Sequence, residues 1–151
     1  MLLTVTREPL TALLTGPDLR RARDARRQAR AWLEGWGLGE HADVGELIVA
    51  ELVANALCHG KGPVQMRLSL TSGHLRVEVH DGGAGRPVRK HVASDDESGR
   101  GLQVIDGLLE LHGGERGVIN DVAGPGKTVY VTVTLATALA DPAPLSAARK
   151  A

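Results

Sequence analysis

Glu51, Asn55 and Asp81 are the residues of this chain whose types and positions could do chemistry. In ELVANALCHG, residues 51–60, a carboxylate, an amide and an imidazole recur every four residues within a run otherwise made, up to residue 57, of Leu, Val and Ala. A helix turns about 100° per residue, so Glu51, Asn55 and His59 drift only about 40° per step and share one stripe. A carboxylate inside a fold is neutralised, paired or set against a bound group, because leaving it bare is expensive. An asparagine one turn on offers an uncharged oxygen, which suits Mg2+, a cation that keeps waters and takes few protein ligands. A nucleotide's phosphates would supply most of the rest. His59 is open between supporting such a site and being satisfied by backbone at a helix end.

The same oddity occurs a second time. In LRVEVHD, Leu75, Val77 and Val79 alternate as one face of a strand, and two residues further the inward position falls on Asp81. The carboxylate opens the pattern DxGxG, with glycines at 83 and 85. A carboxylate at a strand end can accept from an exocyclic amino group, and Gly83 and Gly85 let backbone approach a flat ring closely. A third stretch, SGRGLQVI, puts Gly99, Arg100 and Gly101 ahead of Leu102 at the opening of a helix, whose unpaired N–H groups attract anions. By contrast DVAGPGKT only imitates a phosphate loop. That loop needs a helix to start at Lys-Thr, and the residues that follow here, TVYVTVTL, alternate with period two and read as a strand.

Those residues need elements to hold them. Residues 2–14 carry short β-prone runs ended by Gly16-Pro17, and DLRRARDARRQARAWLEGWG follows as a helix with Asp18 as its expected N-cap. Ala22, Ala25, Ala29, Trp32, Leu33 and Trp36 share one side of it, and Arg20, Arg21, Arg23, Arg26, Arg27 and Arg30 the other. A second helix, about 43–58, is apolar on nearly every side and should be sandwiched in the fold. VQMRLSL and LRVEVHD form a hairpin through TSGH. Residues 82–100 lose periodicity and read as a long loop of the kind that serves as a lid. A third helix, GLQVIDGLLELH, and two strands at about 115–122 and 128–135 close the pattern, with Val129, Val131 and Val133 alternating. This order predicts a two-layer α/β sandwich: a mixed, mostly antiparallel sheet covered on one face by about three helices. The domain spans 1–136 and an Ala/Pro-rich tail spans 137–151.

Composition narrows the function classes. Lys plus Arg equals Asp plus Glu at 18 each, so the arginine run is expected to be a solvated or partner-facing surface, with no direct nucleic-acid binding. One cysteine, Cys58, excludes an internal disulfide and suits a reducing compartment. The start MLLTVTREPLTALL lacks a basic leader, and Glu51 and Asn55 interrupt the longest apolar stretch, so neither export nor a membrane span is expected. A cytoplasmic protein is the expectation.

ExxxNAxxHG on a buried helix, DxGxG ending a strand, a long loop, GxGL opening a helix and a GxGKT turn occur here in one order. This pattern resembles the GHKL ATPase superfamily of gyrase, heat-shock chaperone, histidine kinase and mismatch-repair ATPases, with its Bergerat fold, over roughly residues 10–136. Within it the chain looks most similar to the small anti-sigma-factor serine kinases, whose motif has the ExxxN form. The resemblance implies ATP and Mg2+ as cofactors. Asn55 would bind the Mg2+, Asp81 would receive the adenine amino group, and Gly83 and Gly85 would shape the adenine pocket. Gly99, Arg100, Gly101 and Leu102 would face the phosphates beneath the lid, with Thr128 from the last motif, and Glu51 would be the general base. It implies further an ATP-dependent serine/threonine protein kinase that phosphorylates a STAS-type anti-sigma antagonist and sequesters a sigma factor, and so regulates transcription. The alternative is a nucleotide-gated binding module with little catalysis. Relatives commonly dimerise, so a homodimer is among the expectations. One departure stands out: GPGKT replaces the GxGTT frequent in relatives, so Lys127 takes a threonine's place or the threonine shifts to Thr128, which falls in the outward phase of its strand. No helical hairpin with a phosphoacceptor histidine precedes the first helix and no transducer domain follows, so histidine-kinase and gyrase-type activities are not expected.

Overall fold

Period-two runs of Val, Leu and Met become strands, and the alanine- and leucine-rich stretches between them become helices. In chain order these are β1 (Thr6–Leu14), α1 (Asp18–Gly35), a short 3-10 helix (Gly39–His41), α2 (Ala42–His59), β2 (Val64–Thr71), β3 (His74–Asp81), α3 (Glu97–His112), β4 (Gly114–Asn120) and β5 (Lys127–Thr134). The computed structural model describes residues 6–83 and 97–135. The expected lid residues 84–96, Gly85 among them, and the expected tail lie outside the described residues.

The strands form one sheet in the order β1-β2-β3-β5-β4, every neighbouring pair antiparallel. Together with three helices this is the expected two-layer α/β sandwich. Register is set by local chemistry at the β2–β3 turn. Ser72 and Gly73 both take positive φ, 49° and 81°, the two-residue geometry whose twist matches that of the flanking strands. Met66 then faces Val79 and Leu68 faces Val77, so both apolar sets point to one face. On that face Val64, Met66, Leu68, Leu70, Leu75, Val77, Val79, Val129, Val131 and Val133 are all buried. The other face carries Arg76, whose guanidinium lies 4.1 Å over the Tyr130 ring.

Helix α2 is the inner helix, packed on β3, β2 and β5 with α1 and α3 against it. Ile48, Val49, Leu52, Val53 and Ala56 are its buried contribution. Gly45 lets α1 come close, since a side chain there would collide with the buried Leu33. Across the same seam Arg30 of α1 donates to Glu46 and Asp43 of α2, and these bonds hold its guanidinium pKa above the ordinary value. Helix α1 departs from expectation at its start. The N-cap is Pro17, without a side-chain cap, and Asp18 is the first helical residue, accepting from Arg21 at 2.6 Å. Proline's fixed, extended backbone already sets the entry angle, and an acid in the first turn complements the helix dipole.

Between α1 and α2, His41 is buried and its Nε2 has no hydrogen-bond partner among the described residues. Burial pushes its pKa below the ordinary 6.5; Glu40 pulls the other way and His112 adds to the depression. The unfolded chain therefore binds this proton more readily than the folded one. The stability gained by keeping the ring neutral is complete above pH 6.5 and is lost as pH falls through the window beneath it. Urea midpoints measured across that window will fall more steeply for the wild type than for His41→Gln. Parallel curves would remove His41 as a source of acid sensitivity.

Candidate functional site

The end of α2 and the end of β3 are sewn together. Gly60 N donates to Ala56 O at 2.8 Å and closes the helix, while Gly82 N donates to Lys61 O at 2.7 Å. Gly60 is extended, φ −99° and ψ −173°, a backbone that any residue adopts. Its lack of a side chain is required for another reason. A Cβ at position 60 would lie 2.5 and 2.6 Å from the two carboxylate oxygens of Asp81.

Asp81 is fully buried, as its inward phase implied. Oδ1 accepts from Gly83 N at 2.6 Å and from Lys127 Nζ at 3.1 Å. Lys127 stands directly opposite Asp81 on the β3–β5 ladder, and only 1% of it is exposed. The carboxylate is thus not left for a ligand alone to complete: the chain carries its own cation there. Oδ2 is different, being buried with no hydrogen-bond partner among the described residues. Asn55, 7% exposed on α2, likewise holds a buried amide nitrogen without a partner. Two polar atoms are therefore left unsatisfied inside, one an acceptor, Asp81 Oδ2, and one a donor, Asn55 Nδ2, and buried polar atoms in that state ask for a ligand.

The expected stripe on α2 divides. Asn55 is buried, Glu51 one turn earlier is half-buried, and His59 in the last turn is exposed. Thr128 is half-buried on the opposite face of β5 from Lys127, paired with His80 and Ile119 on the ladders. The residue of the GPGKT turn beside Asp81 is therefore Lys127, not Thr128. Helix α3 begins at Glu97, so Gly99, Arg100 and Gly101 lie within its first turns rather than opening it. Of the backbone donors there, Gly99 N–H belongs to the unpaired first turn, whereas Gly101 N–H falls where helical bonding has begun. Leu102 is buried at 8% exposure.

The donor set fits a nucleotide better than a metal alone. Among the described residues no group of three His, Cys, Asp or Glu side chains gathers. A Mg2+ at this site would be held by Asn55 and by the phosphates that accompany it. An amino-bearing base fits the open Oδ2.

Gly60 is not among the residues expected from sequence, and Lys127 is there only as one of two replacements for a threonine. Lys127 was visible by the rule that found Asp81, because counting back two from Val129 lands on it. Gly60 carried only a helix-stop signal, and its contact with Asp81 is tertiary.

Residues 16–132 match the model of a family described as a histidine kinase-like ATPase domain, a span that contains Glu51, Asn55, Asp81 and Lys127. Over 108 residues the chain is 32% identical to the signal transduction histidine-protein kinase AfsQ2 of Streptomyces coelicolor, a match covering 58% of this chain and 20% of that protein.

Proposed function

The chain belongs to the histidine kinase-like ATPase domain family, and on that premise we propose that it is an ATP-binding regulator that transfers phosphate to serine or threonine of a partner protein. The partner would be a STAS-type anti-sigma antagonist, with a sigma factor as the protein sequestered, in the cytoplasm where both act. The observation that carries the nucleotide part is the buried Asp81 carboxylate, one oxygen saturated and the other open. The catalytic part is supported by Glu51, half-buried one helical turn before Asn55. Phosphoryl transfer is mainly positioning and charge neutralisation. ATP, when bound with Mg2+, would supply the phosphoryl group. Asn55 would hold the cation, and the Glu51 carboxylate would take the proton of the attacking hydroxyl. None of the described helices is long and apolar enough to cross a membrane.

Helix α1 offers a partner surface narrower than its arginine count. Arg20 pairs with Asp24, Arg21 with Asp18, and Arg30 with Glu34, Asp43 and Glu46. Arg23, Arg26 and Arg27 are exposed and lack an ionic partner among the described residues, which suits an acidic partner face.

Glu51→Ala is expected to keep Mg-ATP binding within about twofold while phosphate transfer to the antagonist falls by about 10²–10⁴-fold, the usual worth of a general base. Transfer at the wild-type rate would remove Glu51 from that role. A second reading, transfer to histidine, is favoured by the likeness to AfsQ2. The same assay separates the two, since a serine or threonine phosphoester survives acid and phosphohistidine does not. Tight nucleotide retention with no phosphoprotein from a panel of antagonists would instead mark a nucleotide-gated binding module.

A further inference from the structure

We propose that Lys127 reads the nucleobase together with Asp81, the two offering a donor and an acceptor side by side that select adenine. This role rests on the ATP-binding reading of the same site and adds a second base-contacting side chain to it. Lysine is rarely buried unless paired, yet Lys127 is 1% exposed. Its ammonium carries three N–H donors. Among the described residues it makes one hydrogen bond, to Asp81 Oδ1 at 3.1 Å. Its other two donors have no partner among the described residues, and Oδ2 of the same carboxylate is likewise buried without one.

The way the carboxylate is occupied decides which base edge fits. Guanine presents two adjacent donors, its ring N1–H and its amino group, and a carboxylate meets that pair by using both oxygens. Here Oδ1 already accepts from Gly83 N and Lys127 Nζ, so one oxygen is open. Adenine presents a single amino donor beside an unprotonated ring nitrogen, N1. One open acceptor next to an ammonium answers that pattern: Oδ2 takes the amino proton and Nζ donates to N1. The spacing is fixed by backbone, since Asp81 and Lys127 are directly opposed across the β3–β5 ladder. The carboxylate is packed against Gly60 and Gly83, where a side chain would collide with it, so its position is held.

Calorimetric titration of the unmodified protein with ATP, 1-deaza-ATP and GTP, each with Mg2+, tests this. 1-Deaza-ATP keeps the amino group and replaces N1 by carbon. It should bind about tenfold or more weaker than ATP, the worth of one hydrogen bond to a charged group, and GTP should bind about a hundredfold weaker or not at all. In Lys127→Met, ATP and 1-deaza-ATP should bind alike. A residue that merely supports the fold would weaken both ligands equally and leave their ratio unchanged. Equal affinities of ATP and 1-deaza-ATP for the unmodified protein, or GTP binding as tightly as ATP, overturn the role of Lys127 and leave nucleotide binding standing. Absence of ATP binding overturns both. The comparison of ligands needs no variant, so it decides even where Lys127→Met does not fold.

Discussion

Lys127→Met lowers the unfolding free energy by about 3–5 kcal/mol, the cost of removing one partner from a buried ion pair and leaving the other charge uncompensated. Domains of this size are held by about 5–15 kcal/mol in all, so about a fifth or more of the total is at stake. The loss does not come from missing volume, because methionine fills most of the space of the lysine stem. It comes from Asp81, a buried carboxylate that loses the cation paired with it. A second substitution separates the two causes. In Asp81→Asn/Lys127→Met the carboxylate charge is gone, Gly83 N keeps an oxygen to donate to, and more than half of the lost stability returns. Urea unfolding followed by circular dichroism reads both values. If Lys127→Met unfolds within about 1 kcal/mol of the wild type, the pair behaves as an exposed salt bridge and the burial assigned to it is wrong.

Gly60→Ala weakens ATP binding by about ten- to a hundredfold, as loss of a hydrogen bond to a charged group would. Alanine at a position with φ −99° carries no backbone strain. Elsewhere such a change would add about 0.4–1 kcal/mol of stability by restricting the unfolded chain. Here the added methyl would lie 2.5 and 2.6 Å from the Asp81 oxygens. The carboxylate cannot swing aside without giving up Gly83 N and Lys127 Nζ. The expected result is therefore a less stable protein that also binds nucleotide poorly, measured by thermal unfolding and by calorimetry on the same sample. A stabilised variant with unchanged affinity would show that α2 and β3 do not approach as described.

Much of this was legible in the chain. Strand phase alone put Asp81 inside, and the Ser-Gly turn fixed the register that keeps it there. The apolar girth of residues 43–58 put Asn55 on an inner helix. The same period-two count reached Lys127, but the turn GPGKT drew attention to its threonine, which the ladder turns to the other face. Contacts between distant segments were not legible. Nothing near Gly60 announces that it faces a residue 21 positions away, because its own backbone is ordinary. Helix α3 starts at Glu97, ahead of the expected Gly101, for a different reason. Gly99 and Gly101 are poor helix formers, yet they lie inside α3, whose first residue is Glu97. An acid at a helix start is favourable, and packing of residues such as Leu102 and Ile105, both buried, overrides local propensity.

The central claim is that the open oxygen of Asp81 and the unpartnered amide nitrogen of Asn55 are completed by a nucleotide. Titration of Mg-ATP into the wild type and Asp81→Asn tests it most directly. Asparagine keeps the shape. With its oxygen held by Gly83 N and Lys127, it would turn an amide N–H toward the place where the adenine amino group donates. One ATP should bind per wild-type chain, with affinity about ten- to a hundredfold weaker in Asp81→Asn. Equal affinities in the two proteins, or no heat of binding in the wild type, would contradict the account.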